Sequence, residues 1–315
     1  MFKPTIATAT ALDRQSQRRS DNDFIDGLRK SADARFLILA DYKPVILSNE
    51  DRTEAAIRWF TRDDLIGFGL PADDTIFLGT DRKTGAGHFA LAATEHRVRN
   101  APGALEVLRP IVDLRSLAMQ GIAPSEDLSL MGQAKALAHW HDETRCCGSC
   151  GGSTEMRDGG WKRKCWACGR EHFPRTDPVV IMAIVHPDGD HLLLGHEERF
   201  PDDMWSTLAG FLEPGEDIDH AVRRETFEES RIRVGDVRFH SAQPWPFPHS
   251  LMIGCHGFAE TTDIEIDPEE IQAARWFDRD EVRSMLEGKH PDKQWVPGKQ
   301  AIARALIQAW VDRDV

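Results

Sequence analysis

Three glutamates, Glu225, Glu228 and Glu229, stand close together in one charged segment of the 315-residue chain. Their spacing of i, i+3 and i+4 places all three carboxylates on one face of a helix, with Cβ atoms roughly 5–6 Å apart. Like charges at that distance repel one another unless a cation neutralises them. A hard divalent ion such as Mg²⁺, which prefers oxygen ligands, is the expected partner. The plain alternative is a solvated helix laced with salt bridges, as most Glu- and Arg-rich stretches are.

The segment that holds these glutamates, residues 210–232, reads GFLEPGEDIDHAVRRETFEESRI and resembles the signature of the Nudix hydrolase family. That signature runs Gly, five residues, Glu, seven residues, Arg-Glu, two residues, Glu-Glu. Its fixed positions are filled here by Gly210, Glu216, Arg224, Glu225, Glu228 and Glu229. Six specified residues match at a given start with a probability on the order of 10⁻⁷. The resemblance is therefore preferred to the solvated helix.

The resemblance implies a metal-dependent hydrolase that cleaves a nucleoside diphosphate linked to another group. It makes Glu225, Glu228 and Glu229 ligands of Mg²⁺ or Mn²⁺ and leaves open which of them acts as the base. Arg224 is expected to orient a neighbouring glutamate by a charge-assisted hydrogen bond. Glu270, in the later run IDPEEIQAARWF, best fits a downstream catalytic or metal-binding glutamate of the family. Its other interpretation is a first-turn acid at a helix N-terminus.

Two positions depart from the signature. Thr226 stands where an aliphatic residue is usual, which is a mild change, and Arg231 replaces the glycine expected two residues after the Glu-Glu pair. A glycine there would end the helix in the left-handed conformation, in which an arginine costs about 1 kcal/mol or more. The change concerns the exit from the helix and removes no metal-binding carboxylate.

Five of the six cysteines lie between residues 146 and 168. Two CxxC knuckles, Cys147 with Cys150 and Cys165 with Cys168, supply four sulfurs, which is the ligand set of a closed structural zinc site. Cys146 is an alternative to Cys147 with a CxxxC spacing, but CxxC is the more usual geometry. A redox dithiol is the competing interpretation, but it needs only one CxxC and the chain has two. His139 and His141 lie nearby, but two residues apart on a helix they point different ways, which favours a structural or surface role.

The run SAQPWPFPHSLM, residues 241–252, follows the acidic segment. Its prolines exclude a central strand, and its aromatic residues either cover a hydrophobic edge or form a preorganised wall for a planar ligand. The run resembles the QPWPFPxS signature of the NADH pyrophosphatase branch of the Nudix family. The matching residues that we expect to bind substrate are Gln243, Trp245, Phe247 and Ser250.

Kinship with this branch implies the reaction NADH + H₂O → NMNH + AMP, with NAD⁺ as a poorer substrate and NAD caps on RNA 5′ ends as a related one. Phe211 aligns with an aromatic residue that stacks on the nicotinamide, and Phe173 with a second one near that pocket. Both positions equally suit a core or an interface residue. The branch also implies a homodimer.

The net charge of −13 disfavours a broad nucleic-acid-binding surface. The sequence contains no run of 18 apolar residues, so no transmembrane helix is predicted. The N-terminus lacks the apolar region of a secretory signal. The clustered cysteines indicate a reducing compartment. We therefore expect a cytoplasmic protein.

Three domains are expected: residues 1–140, 141–175 and 176–315. The first is an N-terminal mixed α/β domain, preceded by a flexible tail of about 20 residues. Its apolar runs at residues 34–47, 74–82 and 87–94 predict an antiparallel sheet, followed by helices in residues 104–120 and 129–143. The second is the zinc ribbon. The third is an α/β/α sandwich on a mixed sheet, an α+β Nudix fold.

Two alternatives remain. A Nudix hydrolase of another dinucleotide, such as ADP-ribose or a diadenosine polyphosphate, shares the acidic segment but not the QPWPFPHS run. A zinc-ribbon regulator that binds a nucleotide without cleaving it would be expected to have lost carboxylates, and Arg231 is its only support.

Overall fold

The computed structural model describes residues 12–102 and 108–315. The helices in these residues are α1 (Asn22–Lys30), α2 (Arg62–Gly67), α3 (Glu95–Arg99), α4 (Leu114–Gln120), α5 (Ser125–Glu143), α6 (Ile218–Ser230), α7 (Arg279–Leu286) and α8 (Ile302–Val311). The first ten strands are β1 (Leu12–Asp13), β2 (Arg35–Ala40), β3 (Lys43–Pro44), β4 (Ile46–Ser48), β5 (Ala55–Ile57), β6 (Ile76–Asp81), β7 (Gly87–Ala93), β8 (Thr154–Arg157), β9 (Lys162–Cys165) and β10 (Glu171–His172). The other strands are β11 (Asp177–Val185), β12 (His191–His196), β13 (Leu208–Phe211), β14 (Val234–Trp245), β15 (Ser250–Ala259) and β16 (Ala273–Asp278).

The chain divides into two compact units. The N-terminal unit contains the described residues up to Thr176 together with Pro246–His249. The C-terminal unit contains Asp177–Trp245 and Ser250–Val315. Among the described residues, every helix is too short or too polar to cross a membrane.

The N-terminal unit is built on a five-stranded sheet with the order β1-β6-β7-β2-β3. Its core includes Phe36, Phe77 and Phe89, whose ring centroids lie 5.4 Å apart in the two contacting pairs. The predicted antiparallel sheet is wrong for one pair, because β2 and β7 run parallel. These two strands are separated by four other strands and a helix, so no hairpin turn sets their relative direction.

Two predictions for the ends of this unit also need correction. Residues 1–11 of the expected flexible tail lie outside the described residues, but Leu12–Asp13 pair with β6 and are not a tail. In the predicted helix over residues 104–120, residues 103–107 are not described, and α4 begins only at Leu114. Pro110 disfavours the helical conformation in the residue before it, and Asp113 caps the helix by accepting a hydrogen bond from the Ser116 N–H.

The cysteine-rich segment forms a three-stranded antiparallel sheet with the order β10-β9-β8. Gly159 and Gly160 lie in the turn between β8 and β9, with φ of 62° and 95°. His141 on α5 contacts this turn, since its Nε2 lies 2.8 Å from the Gly160 carbonyl oxygen. The contact agrees with the structural role expected for His141.

The C-terminal unit is an α/β/α sandwich on a mixed sheet, as predicted. The sheet order is β14-β15-β11-β12-β16, with β13 also paired to β11, and β11 and β15 run parallel. Successive residues of β11 point to opposite faces. Val180 packs in one core layer with Val222 of α6, while Ile181 packs in the other with Val282 of α7 and Leu306 of α8.

Helix α6, which carries the three glutamates, has well-defined ends. Asp217 precedes it and accepts a hydrogen bond of 2.9 Å from the backbone N–H of His220. Arg231 follows it in the left-handed conformation, with φ 60° and ψ 9°, and donates its N–H to the Phe227 carbonyl. The predicted left-handed exit is therefore confirmed, with arginine in the conformation that favours glycine.

Replacing Arg231 by glycine should stabilise the C-terminal unit. The left-handed conformation costs a non-glycine residue about 1–2 kcal/mol, and glycine adds an entropic cost of about 0.5–1 kcal/mol. We expect Arg231→Gly to raise the free energy of unfolding by about 0.5–1 kcal/mol in urea titrations. Arg233→Gly, outside the left-handed region, is the matched control and should give no increase. A loss of stability in Arg231→Gly would mean that the arginine side chain, which lies over the Phe227 ring, outweighs the strain.

Candidate active site

The carboxylate of Glu225 is packed directly against the backbone of β13. A Cβ atom placed on Gly210 would lie only 1.9 Å from Cδ of Glu225. No side chain other than hydrogen fits at this position unless the carboxylate moves. The glycine that opens the acidic segment is thus required by the close approach of strand and helix.

Arg224 is the centre of the hydrogen-bond network around the glutamates. Its Nε and Nη2 donate to the two carboxylate oxygens of Glu216, at 2.7 and 2.8 Å. Its Nη1 donates to both Glu225 and Glu228, each at 2.9 Å, and its Nη2 also donates to the Phe211 carbonyl at 2.8 Å. One planar guanidinium therefore holds the turn and two glutamates of the helix in a fixed relation.

The carboxyl groups of this network differ in pKa because their surroundings differ. Burial, together with the nearby charges of Glu225 and Glu197, raises the pKa of Glu229 to about 9. Burial also raises the pKa of Glu225, and both burial and Asp267 raise that of Glu270. Such carboxyl groups favour a bound proton or a bound cation.

Glu216 behaves in the opposite way to these carboxyl groups. Its hydrogen bonds from Arg224 and from the Glu213 N–H lower its pKa to about 2. This carboxylate is already satisfied by its partners, so it supports the turn that precedes α6.

A cleft of about 660 Å³ in the C-terminal unit lies beside this network. Five of the predicted site residues lie around it: Phe211, Arg224, Glu225, Glu229 and Glu270. Glu228 is joined to them through Arg224. The donor set consists of carboxylate oxygens, which suits Mg²⁺ or Mn²⁺ and does not suit soft metals. The residues present therefore fit the expected ions.

Sequence reasoning missed five charged residues of the same cleft. Glu197, Glu198 and Arg199 follow β12, Glu213 follows β13, and Glu269 precedes β16. The run HEER at residues 196–199 matches no metal or catalytic motif and has the composition of a solvated loop. The available signal was its position directly after a buried strand.

Gln243, which we expect to bind substrate, makes two structural hydrogen bonds. Its side chain is fully buried, donates through Nε2 to the Gln300 carbonyl at 2.7 Å and accepts through Oε1 from the Ile302 N–H at 2.8 Å. Both ends of the amide are used to hold the start of α8, which has no other side-chain cap among the described residues. Gln243 is not among the described residues that line the cleft, and its role in substrate binding stays a prediction.

The other residues predicted to bind substrate lie elsewhere. Trp245 and Ser250 face each other where β14 and β15 meet, and neither is among the described residues that line the cleft. Phe247 belongs to the N-terminal unit, where Lys135 Nζ lies 4.9 Å from its ring centroid. Phe173, in the same unit, is 62% exposed.

The four predicted zinc ligands converge in the N-terminal unit. The Sγ atoms of Cys147, Cys150, Cys165 and Cys168 all lie within 4.8 Å of one another. The contacts between Cys147 and Cys168 and between Cys150 and Cys165 measure 3.8 and 3.5 Å. A tetrahedron with Zn–S bonds of 2.3 Å has edges of about 3.8 Å. The arrangement fits a structural zinc ion.

The structure also distinguishes the two adjacent cysteines. Cys147 is the member of the cluster, and Cys146 is an exposed residue outside it. The backbone N–H groups of Ser149 and Cys150 favour the thiolate of Cys147 and lower its pKa to about 6. The preference for Cys147 is therefore confirmed.

Three family models match consecutive parts of the chain. They are described as an NADH pyrophosphatase-like rudimentary NUDIX domain (residues 33–140), an NADH pyrophosphatase zinc ribbon domain (residues 142–173) and a NUDIX domain (residues 175–298). The fold and the two sites thus define a zinc-ribbon protein with a Nudix fold.

Curated relatives agree with these models. NAD-capped RNA hydrolase NudC of Mycobacterium bovis is 36% identical over 247 residues, which cover 76% of each chain. Nudix hydrolase 19, chloroplastic, of Arabidopsis thaliana is 34% identical over 78% of this chain and 66% of its own. Human NAD-capped RNA hydrolase NUDT12 is 43% identical over 194 residues, and the match spans 59% of this chain but only 42% of that longer protein. The chain belongs to the Nudix hydrolase family, in its NADH pyrophosphatase branch.

Gly210→Ala should displace the Glu225 carboxylate, since the added methyl group would occupy its place. We expect a loss of activity of at least about 100-fold, comparable to the removal of one preorganised group from an active site. The control is Ala209→Ser on the same strand, because the positive φ of Gly215 would strain an alanine there. Steady-state rates with Mn²⁺ measure the effect, and near-normal activity in Gly210→Ala would contradict the packing described here.

Divalent cation binding should release protons at neutral pH. A carboxyl group with a pKa of about 9, as in Glu229, is protonated below that pH, so a cation must displace the proton. We expect the Mn²⁺ affinity to rise with pH from about 6 to 9, by up to about tenfold per unit for each proton released. Calorimetry in buffers of different ionisation enthalpy counts these protons. An affinity independent of pH would contradict the raised pKa.

Cys165→Ser should abolish chelator-resistant zinc and lower the melting temperature of the N-terminal unit, since three thiolates no longer close the tetrahedron. Cys146→Ser is the matched control and should keep both properties. Metal analysis and thermal unfolding are the measurements. Unchanged zinc content and stability in Cys165→Ser would rule out the ribbon site.

Proposed function

We propose that the chain hydrolyses the pyrophosphate bond of NADH and NAD⁺, giving NMNH or NMN and AMP, with Mg²⁺ or Mn²⁺. The observation that carries the proposal is the cleft of about 660 Å³ in which the glutamates of the Nudix signature meet an exposed aromatic side chain. Membership in the NADH pyrophosphatase branch supports this choice of substrate.

The glutamates are assigned the metal site. Glu225, Glu228 and Glu229 hold the divalent cation, and Glu270, from the loop before β16, completes the acidic set. When bound, the cation neutralises the phosphate oxygens and lowers the pKa of a water molecule. Arg224 acts as a positioning residue, because its guanidinium is already occupied by Glu216, Glu225 and Glu228.

Other residues of the cleft are assigned to substrate binding. Phe211 is 58% exposed beside Gly210, which leaves its ring accessible for stacking on a nicotinamide or adenine base. Arg199, which pairs with Glu197 in the cleft, provides a positive charge for the pyrophosphate. One glutamate of the acidic set also accepts the proton that the attacking water loses.

We also propose that NAD caps on RNA are substrates, since the cleaved bond is the same and only the leaving nucleotide is longer. The relatives NudC and NUDT12, both NAD-capped RNA hydrolases, favour this second activity. The acidic net charge of −13 confines the contacts with RNA to a local surface.

A homodimer and a reducing compartment, the cytoplasm, complete the proposal. Exposed aromatic side chains on each unit, Phe173 at 62% and Phe239 at 63%, are apolar surface that a second copy would cover. None of the six cysteines, all of which lie within the described residues, forms a disulfide bond. Four of them must be reduced to bind zinc in the ribbon, which agrees with a reducing compartment.

Incubation with NADH, NAD⁺ and ADP-ribose, each with Mg²⁺ or Mn²⁺, tests the proposal when products are identified by mass. We expect NMNH and AMP to form fastest from NADH, and Glu228→Gln to lose at least about 100-fold of the rate. The exposed Glu265→Gln is the control and should keep full activity. Preference for ADP-ribose would agree with the Nudix chemistry but contradict the proposal that NADH is the preferred substrate. No turnover of any compound would favour the non-catalytic regulator.

A further inference from the structure

A second group of metal-ligating side chains lies in the N-terminal unit, apart from the four cysteines. It consists of His139 and Glu143 on α5 and His249 from the segment Pro246–His249. One potential ligand atom of each residue lies within 4.8 Å of the others. The sequence favours a structural or surface role for His139, because His139 and His141 lie two residues apart on a helix and point different ways. Its partner His249 is 110 residues away in the chain, within the proline-rich run.

The geometry of this cluster is close to that of a bound metal. His139 Nδ1 lies 3.4 Å from Glu143 Oε2, and His249 Nε2 lies 4.0 Å from the same oxygen. Tetrahedral zinc with bonds of about 2.0–2.1 Å has ligand atoms about 3.3–3.4 Å apart. The distance from His139 to Glu143 already has this length, and the distance from His249 to Glu143 must shorten by about 0.6 Å. The two imidazoles lie within 4.8 Å of each other. Small side-chain rotations provide these changes.

The burial of the three side chains suits a site that is closed on one side and open on the other. The exposed fraction is 7% for the His249 side chain, 27% for His139 and 50% for Glu143. The Nδ1 atom of His139 is itself buried and, although it lies 3.4 Å from Glu143 Oε2, it makes no well-aligned hydrogen bond to any described residue. A buried nitrogen without such a partner calls for an explanation, and coordination to a metal supplies one. The exposed side at Glu143 leaves room for a water ligand.

The segment that carries His249 is already held against the same face of α5. A Cβ on Gly132 would lie 2.7 Å from Pro246 Cγ, so only glycine permits this contact. One turn further on, Lys135 lies over the ring of Phe247. Gly132, Lys135, His139 and Glu143 follow one another at intervals of three and four residues, which places them along one helical face. Little ordering is therefore needed before a metal can bind.

We propose that His139, Glu143 and His249 form a second metal site, which takes Zn²⁺ or a similar transition-metal ion with water as the fourth ligand. Two imidazoles and one carboxylate are the ligand set of open zinc sites and are unsuited to Mg²⁺. The metal links α5 to the proline-rich segment and stiffens it. This proposal is independent of the hydrolytic function.

A competing cluster in the C-terminal unit is weaker as a metal site. His186, Asp188 and His191 lie in the hairpin between β11 and β12. The two oxygens of Asp188 already pair with the two imidazoles, at 3.0 and 2.7 Å. These pairs account for the cluster without a metal, so His191 provides a matched control.

Titration with Co²⁺ tests the proposal on protein whose ribbon is filled with zinc, in excess Mg²⁺ to occupy the glutamate site. We expect one equivalent to bind with the d–d absorption of a tetrahedral nitrogen and oxygen site and without thiolate charge transfer. Glu143→Gln and His249→Gln should weaken this binding at least about tenfold, whereas His191→Gln should not. Zn²⁺ should raise the melting temperature of the wild type and His191→Gln, but not of Glu143→Gln.

Three results would overturn the proposal. They are the absence of a tetrahedral cobalt spectrum, a spectrum with thiolate charge transfer only, and unchanged cobalt affinity in Glu143→Gln. Because half of the Glu143 side chain is exposed, this variant should fold even if His249→Gln does not.

Discussion

The acidic site depends on one guanidinium group. Arg224 donates five hydrogen bonds, to the two oxygens of Glu216, to Glu225, to Glu228 and to the backbone of Phe211. Its charge keeps carboxylates together that would otherwise repel, and its planarity fixes their directions. The carboxylates together carry more negative charge than one arginine neutralises, so binding of a divalent cation remains favourable.

The sheet sets the position of this network. Strand β13 pairs with β11 at the centre of the sandwich, and Gly210 lets the Glu225 carboxylate lie against its backbone. Val222 anchors the opposite face of α6 in the core. The helix then ends at Arg231 in a strained conformation. Packing, and not local helix preference, therefore decides where the glutamates point.

Much of this arrangement could be predicted, because its signals are local in sequence. The i, i+3, i+4 glutamates, the paired CxxC knuckles and the left-handed exit at Arg231 each follow from spacing within a few residues. The hydrogen bonds of Gln243 could not be predicted, since its partners, Gln300 and Ile302, are almost 60 residues away. The contributions of Glu197 and His249, and the parallel pairing of β2 with β7, likewise arise from tertiary contacts that no local pattern encodes.

Anomalous X-ray scattering from crystals soaked with Mn²⁺ tests the central claim most directly, because it locates the cation without reference to activity. The account predicts a manganese peak bounded by the carboxylates of Glu225, Glu228 and Glu229, with Arg224 still bonded to Glu216. A peak elsewhere in the cleft, such as at Glu197 and Glu198 alone, or no peak at all at saturating Mn²⁺, would contradict the assignment of these glutamates as the metal site.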